Sequence, residues 1–185
     1  MTYMNIAIIG TGHVGGALAT QWARAGHRIF LGVRYPELFK GIALLQNPHT
    51  TSHPIAEAVR QAEIVLLATP ATQAVAVAQS LGDTAGKIII DAMNIVMGRG
   101  PAGYTNTSQA VLDHTVTRDV VKCFNTTGYK NMLDPRYGDT VIDVFVAGYS
   151  QSGKEAAIRL ARDAGFAACY DVGGNDRFEL MEQFA

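Results

Sequence analysis

The chain has 185 residues, of which 48% are hydrophobic and 17% are charged, and its formal net charge is −1. This length matches the usual ~100–200 residues of one domain and is enough to bury a core. The 15 basic and 16 acidic residues leave no excess positive charge for a protein that coats nucleic acid. The low charge and the many apolar residues also exclude a disordered chain.

Cysteine content and hydropathy limit the class further. Two cysteines cannot staple a chain of this size, and because Cys123 and Cys169 lie in apolar stretches we expect reduced core residues. No segment approaches the ~18 consecutive apolar residues of a membrane span. The N-terminus enters an apolar strand without a basic region and a cleavage site, so we expect a cytoplasmic protein with no membrane or nucleic-acid partner.

Predicted strands and helices alternate along most of the chain. In chain order they are strand 5–9, helix 14–25, strand 28–33, helices 36–45 and 54–62, strand 64–68, helix 71–81, strand 87–91, a glycine-rich irregular stretch 97–106, strands 120–124 and 143–147, helix 151–164, strand 168–172 and helix 175–184. Strand 64–68 is apolar on both faces, which is typical of a central parallel strand covered by helices. The order favours an α/β fold with a doubly wound, mainly parallel sheet.

The turn after the first strand has the spacing GxGxxG, formed by Gly10, Thr11, Gly12, His13, Val14 and Gly15. The spacing alone is a weak signal, but here a buried strand precedes it and an amphipathic helix follows it. Gly10 permits the tight turn, Gly12 lets the backbone approach a pyrophosphate, and Gly15 lets the helix pack against the sheet. The alternative is a helix-start turn without a ligand.

The end of the second strand indicates which dinucleotide fits. NAD sites usually place an Asp or Glu there, whereas this chain has Arg34 and no carboxylate before Glu37. The planar guanidinium of Arg34 can pair with a 2′-phosphate, which a carboxylate would repel. We therefore predict NADP over NAD, the alternative being a solvated arginine at the start of a loop.

Ligands of open α/β sheets bind at the carboxyl ends of the strands. Three strand ends are predicted to lie there, with the residues Thr69, Pro70 and Ala71, then Ala92, Met93 and Asn94, then Phe124, Asn125 and Thr126. We expect Pro70, Asn94 and the 124–126 run to border the reacting ring. For the two asparagines, helix capping or a turn contact is an equal alternative.

The segments IAIIG, GTGHVGGALA, GVR, LLATP, KIIIDAMN, VKCFNTTG, VFVAG and LARDAGF follow one another in this chain. Their order resembles the deazaflavin-dependent NADP oxidoreductases, which move hydride between NADPH and coenzyme F420. The resemblance implies a single NAD(P)-binding Rossmann domain over 1–185 with a C-terminal extension from about 140. It also implies that Thr11, His13 and Val14 line the pyrophosphate, Arg34 the 2′-phosphate, and Thr69, Pro70 and Asn94 the nicotinamide.

The chain departs from that family at the predicted phosphate site. Val33 stands where the family commonly has Ser or Thr, and Leu38 replaces a lysine, for which Lys40 is a possible substitute. The 97–106 stretch, with Arg99 and Tyr104, is expected to form a substrate-side loop or lid.

The last predicted helix carries an apolar stripe of Phe178, Met181 and Phe184. Such a stripe packs on its own sheet or on a partner subunit, and it is usually core. From the resemblance, and because two-fold assembly is common, we expect a homodimer.

Residues for proton transfer are hard to find. No tyrosine is followed by a lysine four residues later, which argues against short-chain dehydrogenase chemistry, and prolines bracket His49 and His53, which argues against a metal pair. We therefore name no catalytic acid, base or metal ligand.

The lack of such residues suits hydride exchange between a nicotinamide and a planar acceptor such as a deazaflavin or flavin, because positioning can supply most of the rate. The alternatives are an NADP(H)-binding sensor without turnover, and an imine or hydroxy-acid dehydrogenase. The dehydrogenases add a long helical domain for which 185 residues leave no room.

Overall fold

A computed structural model describes residues 3–184. Within them the strands are β1 (Asn5–Ile9), β2 (Arg28–Val33), β3 (Thr50–Pro54), β4 (Ile64–Leu67), β5 (Ile88–Asp91), β6 (Val120–Cys123), β7 (Arg136–Tyr137), β8 (Thr140–Val141), β9 (Val144–Ala147) and β10 (Cys169–Asp171). The α-helices are α1 (His13–Arg24), α2 (Ile55–Gln61), α3 (Ala74–Ser80), α4 (Thr107–Asp113), α5 (Tyr129–Leu133), α6 (Gln151–Asp163) and α7 (Phe178–Gln183).

Eight of these strands form one sheet in the order β10-β9-β6-β5-β4-β1-β2-β3, and β7 and β8 form a separate hairpin. Every pairing in the large sheet is parallel except that of β6 with β9. The predicted doubly wound, mainly parallel α/β class is therefore confirmed. None of the helices within residues 3–184 is long and apolar enough to cross a membrane.

The two faces of the sheet carry two apolar cores. Helices α1, α5 and α6 cover one face, where Trp22 is fully buried and its indole N–H donates to the carbonyl oxygen of Leu160 at 2.9 Å. Helices α2, α3, α4 and α7 cover the other face. Phe178 and Met181 of the predicted stripe are fully buried in this second core, whereas Phe184 is 55% exposed. The stripe therefore packs mainly on its own sheet.

Several predicted elements were wrong or missing. The helix expected over 36–45 is a short 3-10 helix, Ile42–Gln46, because Gly41 before it adopts the left-handed φ of +90° and lies against the Thr11 carbonyl. The edge strand β3 was not predicted, since its sequence TTSHP is mostly polar. Helices α4 and α5 and the β7–β8 hairpin were also missed.

The two cysteines are free thiols whose sulfur atoms lie 3.9 Å apart. Strand β9 lies between β6 and β10. The Cα atoms of Cys123 and Cys169 are therefore two strand spacings of ~4.8 Å apart, which is about 9–10 Å. This separation exceeds the ~4.4–6.8 Å between the Cα atoms of a disulfide. Burial, together with the hydrogen bond between the Cys123 thiol and the sulfur of Cys169, raises the pKa of Cys123. Cys123 is therefore a protonated thiol of the core, and Cys169 packs against it with a partly buried side chain.

Candidate dinucleotide site

The structure explains the need for glycine differently at each of the three motif positions. Gly10 has φ +107°, and a Cβ there would lie 2.4 Å from the Ala68 carbonyl oxygen. A Cβ on Gly15 would lie 1.9 Å from the carbonyl oxygen of Gly10, so this glycine lets α1 pack against the turn. A Cβ on Gly12, by contrast, would meet nothing within 4 Å. Packing therefore explains Gly10 and Gly15, and it leaves the space beside Gly12 free.

The amino end of α1 is suited to an anion. Gly12 is the N-cap residue and supplies no side-chain hydrogen bond, and the first turn contains no acidic residue. The first backbone N–H groups of a helix have no partner within it, and the helix dipole places a partial positive charge there. His13 and Val14 open the helix, so their N–H groups belong to this set.

A cleft of about 680 Å³ runs from this turn along the carboxyl ends of β1, β2 and β4. Its wall includes Thr11, Arg34, Lys40, Thr69 and Pro70. Arg34 and Lys40 are both exposed, so two cations face one cleft. The Thr11 hydroxyl donates to the Lys40 carbonyl, which fastens the loop carrying both cations to the glycine-rich turn. Lys40, the possible substitute for the missing lysine, therefore lines the same cleft as Arg34.

Val33 and Leu38, the two residues that depart from the family pattern, lie in different environments. Val33 is 7% exposed and packs into the core, whereas Leu38 is 78% exposed on the cleft wall. Gly32 precedes them at the end of β2, where a Cβ would lie 2.3 Å from Cδ1 of Ile9. Packing against β1 therefore explains this glycine without a ligand.

The next two predicted strand ends lie side by side, because β4 pairs with β5. The Thr69 hydroxyl donates to the sulfur of Met93 at 3.2 Å and joins them. Ala71, Ala92 and Met93 are buried, so their side chains line the base of this edge rather than its surface. Pro70 is exposed.

Asn94 and Asn125 hold two strand ends together. The Asn94 amide donates to the Asn125 carbonyl oxygen at 2.7 Å, and the Asn125 amide donates to the side-chain oxygen of Asn94 at 2.9 Å. The Asn125 amide also donates to the Met181 carbonyl oxygen at 2.8 Å, which ties this edge to α7. Neither contact is a helix cap. Oδ1 of Asn125 is buried and has no hydrogen-bond partner within residues 3–184.

Phe124 requires a correction. Its ring is fully buried, packs edge-on against Trp22 with centroids 5.6 Å apart, and contacts Phe166 at 6.2 Å. The backbone of Phe124 has a left-handed φ of +64°, which is unusual outside glycine. The ring therefore offers no face to a ligand, and of the 124–126 run only half-buried Thr126 has a partly accessible side chain.

The sequence did not single out Tyr129. Its ring stacks on the imidazole of His13, with centroids 4.5 Å apart and planes inclined by 18°. This contact joins the first turn of α1 to the first turn of α5, so the glycine-rich turn and the segment after β6 meet. No spacing rule connects residues 116 positions apart, so only the fold could find this pair.

The glycine-rich stretch after β5 forms a hairpin-like tip, with a bridge between Val96 and Arg99 and with Met97 90% exposed. Tyr104 instead packs on α4, its ring 6.2 Å from that of His114. Desolvation and a hydrogen bond with Asp113 raise the pKa of Tyr104, so its phenol stays protonated at neutral pH. The predicted role as a substrate-side lid stays a prediction.

Residues 5–95 match the model of the family described as NADP oxidoreductase coenzyme F420-dependent. No curated protein matches the chain. The solved structures that share its fold include one provisionally named an F420-dependent NADP reductase, from Arthrobacter sp. FB24, with 26% identity and a TM-score of 0.86 over 98% of this chain and 90% of that one. A hypothetical protein from Sinorhizobium meliloti has 25% identity and a TM-score of 0.78, over 94% and 86%.

A more distant structure shares the fold alone. It is a reductive aminase from Aspergillus terreus in complex with NADPH and ethyl-5-oxohexanoate, with 16% identity and a TM-score of 0.70 over 98% of this chain and 60% of that one. The family resemblance inferred from the sequence is confirmed: residues 5–95 match the F420-dependent NADP oxidoreductases, and the chain is an NADP-dependent oxidoreductase.

Proposed function

We propose that this chain transfers hydride between NADP(H), bound in the cleft, and a planar acceptor such as a deazaflavin or flavin. One observation carries the proposal. The open backbone at Gly12 and the uncapped amino end of α1 share a cleft with the exposed cations Arg34 and Lys40. A helix N-terminus suits a pyrophosphate, and paired cations suit a second phosphate on the ribose.

The residues present fit NADP(H) at both ends of the cleft. Thr11, His13 and Val14 would hold the pyrophosphate through backbone N–H groups, while Arg34 and Lys40 would hold the 2′-phosphate. Of the remaining site residues, the cofactor side would comprise Thr69, Pro70, Ala71, Ala92 and Asn94. The substrate side of the nicotinamide would comprise Met93, Asn125 and Thr126. When bound, NADPH supplies a hydride from its nicotinamide ring.

The chain's own contribution is orientation. None of the strand-end residues proposed to border the nicotinamide carries a side chain that titrates near neutral pH. The hydrogen bonds of Asn94 and Asn125 to each other and to α7 hold this edge rigid, and the Thr69–Met93 contact holds its neighbour. Rigid positioning of two planar rings is a recognised source of rate for hydride exchange.

The segment from about residue 140 is proposed to act as an extension of the same domain. Strands β9 and β10 continue the large sheet beyond β6, and α7 contacts the strand ends, which supports this interpretation. We further propose that the protein is cytoplasmic and forms a homodimer. Analytical ultracentrifugation tests the oligomeric state, and a monomer at micromolar concentration would contradict the dimer.

The deciding experiment measures NADPH oxidation with a deazaflavin, a flavin and a ferric complex as separate acceptors. The proposal expects turnover with at least one planar organic acceptor, and more slowly or not at all with the ferric complex. Tight NADPH binding without oxidation by any acceptor would favour the sensor instead.

A further inference from the structure

A charged cluster lies fully buried beneath the carboxyl ends of β5 and β6. The ammonium of Lys122 lies 2.8 Å from Oδ2 of Asp91 and 2.9 Å from Oε1 of Glu182, and the side chains of all three are at most 4% exposed. The hydroxyls of Thr107 and Ser108, at the start of α4, each lie 2.6 Å from Oδ2 of Asp91. The cluster thus joins β5, β6, α4 and α7.

The three charged side chains of the cluster share one hydrogen-bond network. Each carboxylate oxygen receives a donor: the Met93 N–H reaches Oδ1 of Asp91 at 2.8 Å, and the Ile95 N–H reaches Oε2 of Glu182 at 2.7 Å. The other two oxygens share the ammonium of Lys122. The hydroxyl oxygen of Thr107 lies 2.6 Å from Oδ2 of Asp91 and 3.0 Å from Oε1 of Glu182, so the two carboxyl groups share its single hydrogen. We take both carboxyl groups and the ammonium to be in their charged forms, which leaves one negative charge in excess.

This excess charge lies next to the strand ends that are proposed to border the nicotinamide. Lys122 donates to the Met93 carbonyl oxygen at 3.0 Å, so the cluster touches the predicted site directly. Asn94 follows Asp91 by three residues, as Asn125 follows Lys122, which places each pair of Cα atoms within about 11 Å. Solvent does not reach the cluster, so salt screens its charge much less than it screens a surface charge.

The geometry points to a role for the cluster in the direction of hydride transfer: its excess negative charge favours the oxidised, cationic nicotinamide over the reduced, neutral one. The inference rests on the proposed function. When NADPH donates a hydride, two electrons and one proton pass to the deazaflavin or flavin, which takes a further proton from water, and the nicotinamide is left with a positive charge. A fixed anion nearby lowers the free energy of that product.

The size of the effect follows from Coulomb's law. One unit charge about 10–15 Å from another, at an effective dielectric constant of about 25–40, changes an equilibrium roughly threefold to tenfold. Removal of the excess charge should therefore change the relative affinity for NADP⁺ and NADPH by this factor. The two nucleotides have the same phosphates, so contacts elsewhere in the cleft cancel from the ratio.

Glu182→Gln tests the inference, because it removes the charge and keeps the size of the side chain. We expect the ratio of the NADP⁺ to the NADPH dissociation constant to rise roughly threefold to tenfold. Glu179→Gln makes the same change on an exposed position of α7 and should leave the ratio unchanged. Ser108→Ala disturbs the cluster without changing its charge, so it should lower the melting temperature and also leave the ratio unchanged.

Asp91→Asn provides a second variant with the same loss of charge if Glu182→Gln does not fold. An unchanged ratio in either folded variant overturns the inference, as does an equal shift in Glu179→Gln or Ser108→Ala. A wild-type chain that binds neither nucleotide contradicts the proposed function instead. Isothermal titration of both nucleotides against each variant separates these outcomes.

Discussion

Gly12→Ala separates ligand binding from folding. A Cβ at this position meets nothing within 4 Å, and the backbone angles of −77° and −156° lie in extended space open to alanine. Loss of the preferred N-cap residue costs up to about 1 kcal/mol. Alanine also lowers the conformational entropy of the unfolded chain, which stabilises the folded protein by about 0.4–1 kcal/mol. The free energy of unfolding should therefore change by less than about 1 kcal/mol.

The same methyl group should interfere with NADPH. It would stand where the backbone is proposed to approach the pyrophosphate, and one lost charge-assisted hydrogen bond is worth about 1.5–3 kcal/mol. The NADPH dissociation constant should rise about tenfold to a hundredfold. Fluorescence titration measures the binding, and urea unfolding checks that the variant is folded.

Gly16→Ala is the matched control, one turn further along α1. Its Cβ would lie 3.6 Å from Leu44 at ordinary contact distance, so it should stabilise the helix by up to about 1 kcal/mol and bind NADPH normally. A folded Gly12→Ala protein that binds NADPH like the wild type would refute the assignment of the α1 N-terminus to the pyrophosphate.

Three other outcomes are expected. Arg34→Glu should raise the NADPH dissociation constant at least tenfold, through loss of a contact worth about 1.5–3 kcal/mol, and change that for NADH much less; equal changes would contradict the 2′-phosphate assignment. Lys122→Met leaves two buried carboxylates without a cation and should lower the free energy of unfolding by about 3–5 kcal/mol in urea titrations, whereas an effect below 1 kcal/mol would show that the cluster is not charged as described. Burial alone would raise the pKa of Asp171, but hydrogen bonds from Lys154 and from the Gly173 N–H outweigh it and lower the pKa. The ion pair of Asp171 with Lys154 therefore stabilises the fold at a pH above the ordinary aspartate pKa. This stabilisation is lost as the pH falls through the lowered pKa of Asp171. Lys154→Met should thus cost less than about 1 kcal/mol at pH 7 and nothing in strong acid, and a cost that persists in acid would contradict the pairing.

The first half of the fold could be predicted because its signals are local. Strands β1 and β2 begin and end at the expected residues, since each is a short apolar run between polar or glycine boundaries. Strand β3 was not predicted because it lies at the edge of the sheet and pairs only with β2. Its backbone hydrogen bonds to β2 define it as a strand, and its sequence has no apolar pattern that would reveal it. Helix α4 was also missed, although Asn106, a residue type typical of the N-cap position, precedes it. The side chain of Asn106 accepts a hydrogen bond from the Gln109 N–H at 2.8 Å.

The site was predictable as a set of strand ends but not as a set of side-chain directions. The left-handed backbone of Phe124, which turns its ring into the core, has no sequence signal in a phenylalanine. Lys122 within an apolar strand was a visible anomaly, yet its partners lie on other elements, and Glu182 is 60 positions away. Such contacts depend on the packing of α7 against the sheet, which periodicity does not specify.

Isotope transfer tests the central claim most directly. The protein would be mixed without oxygen with NADPH carrying deuterium at the transferred position of its nicotinamide ring and with an oxidised deazaflavin, and the reduced product would be analysed by mass spectrometry. Direct hydride transfer predicts one carbon-bound deuterium in each reduced deazaflavin. Reduction with hydrogen from water alone, or tight binding of NADPH without any reduced deazaflavin, would contradict it.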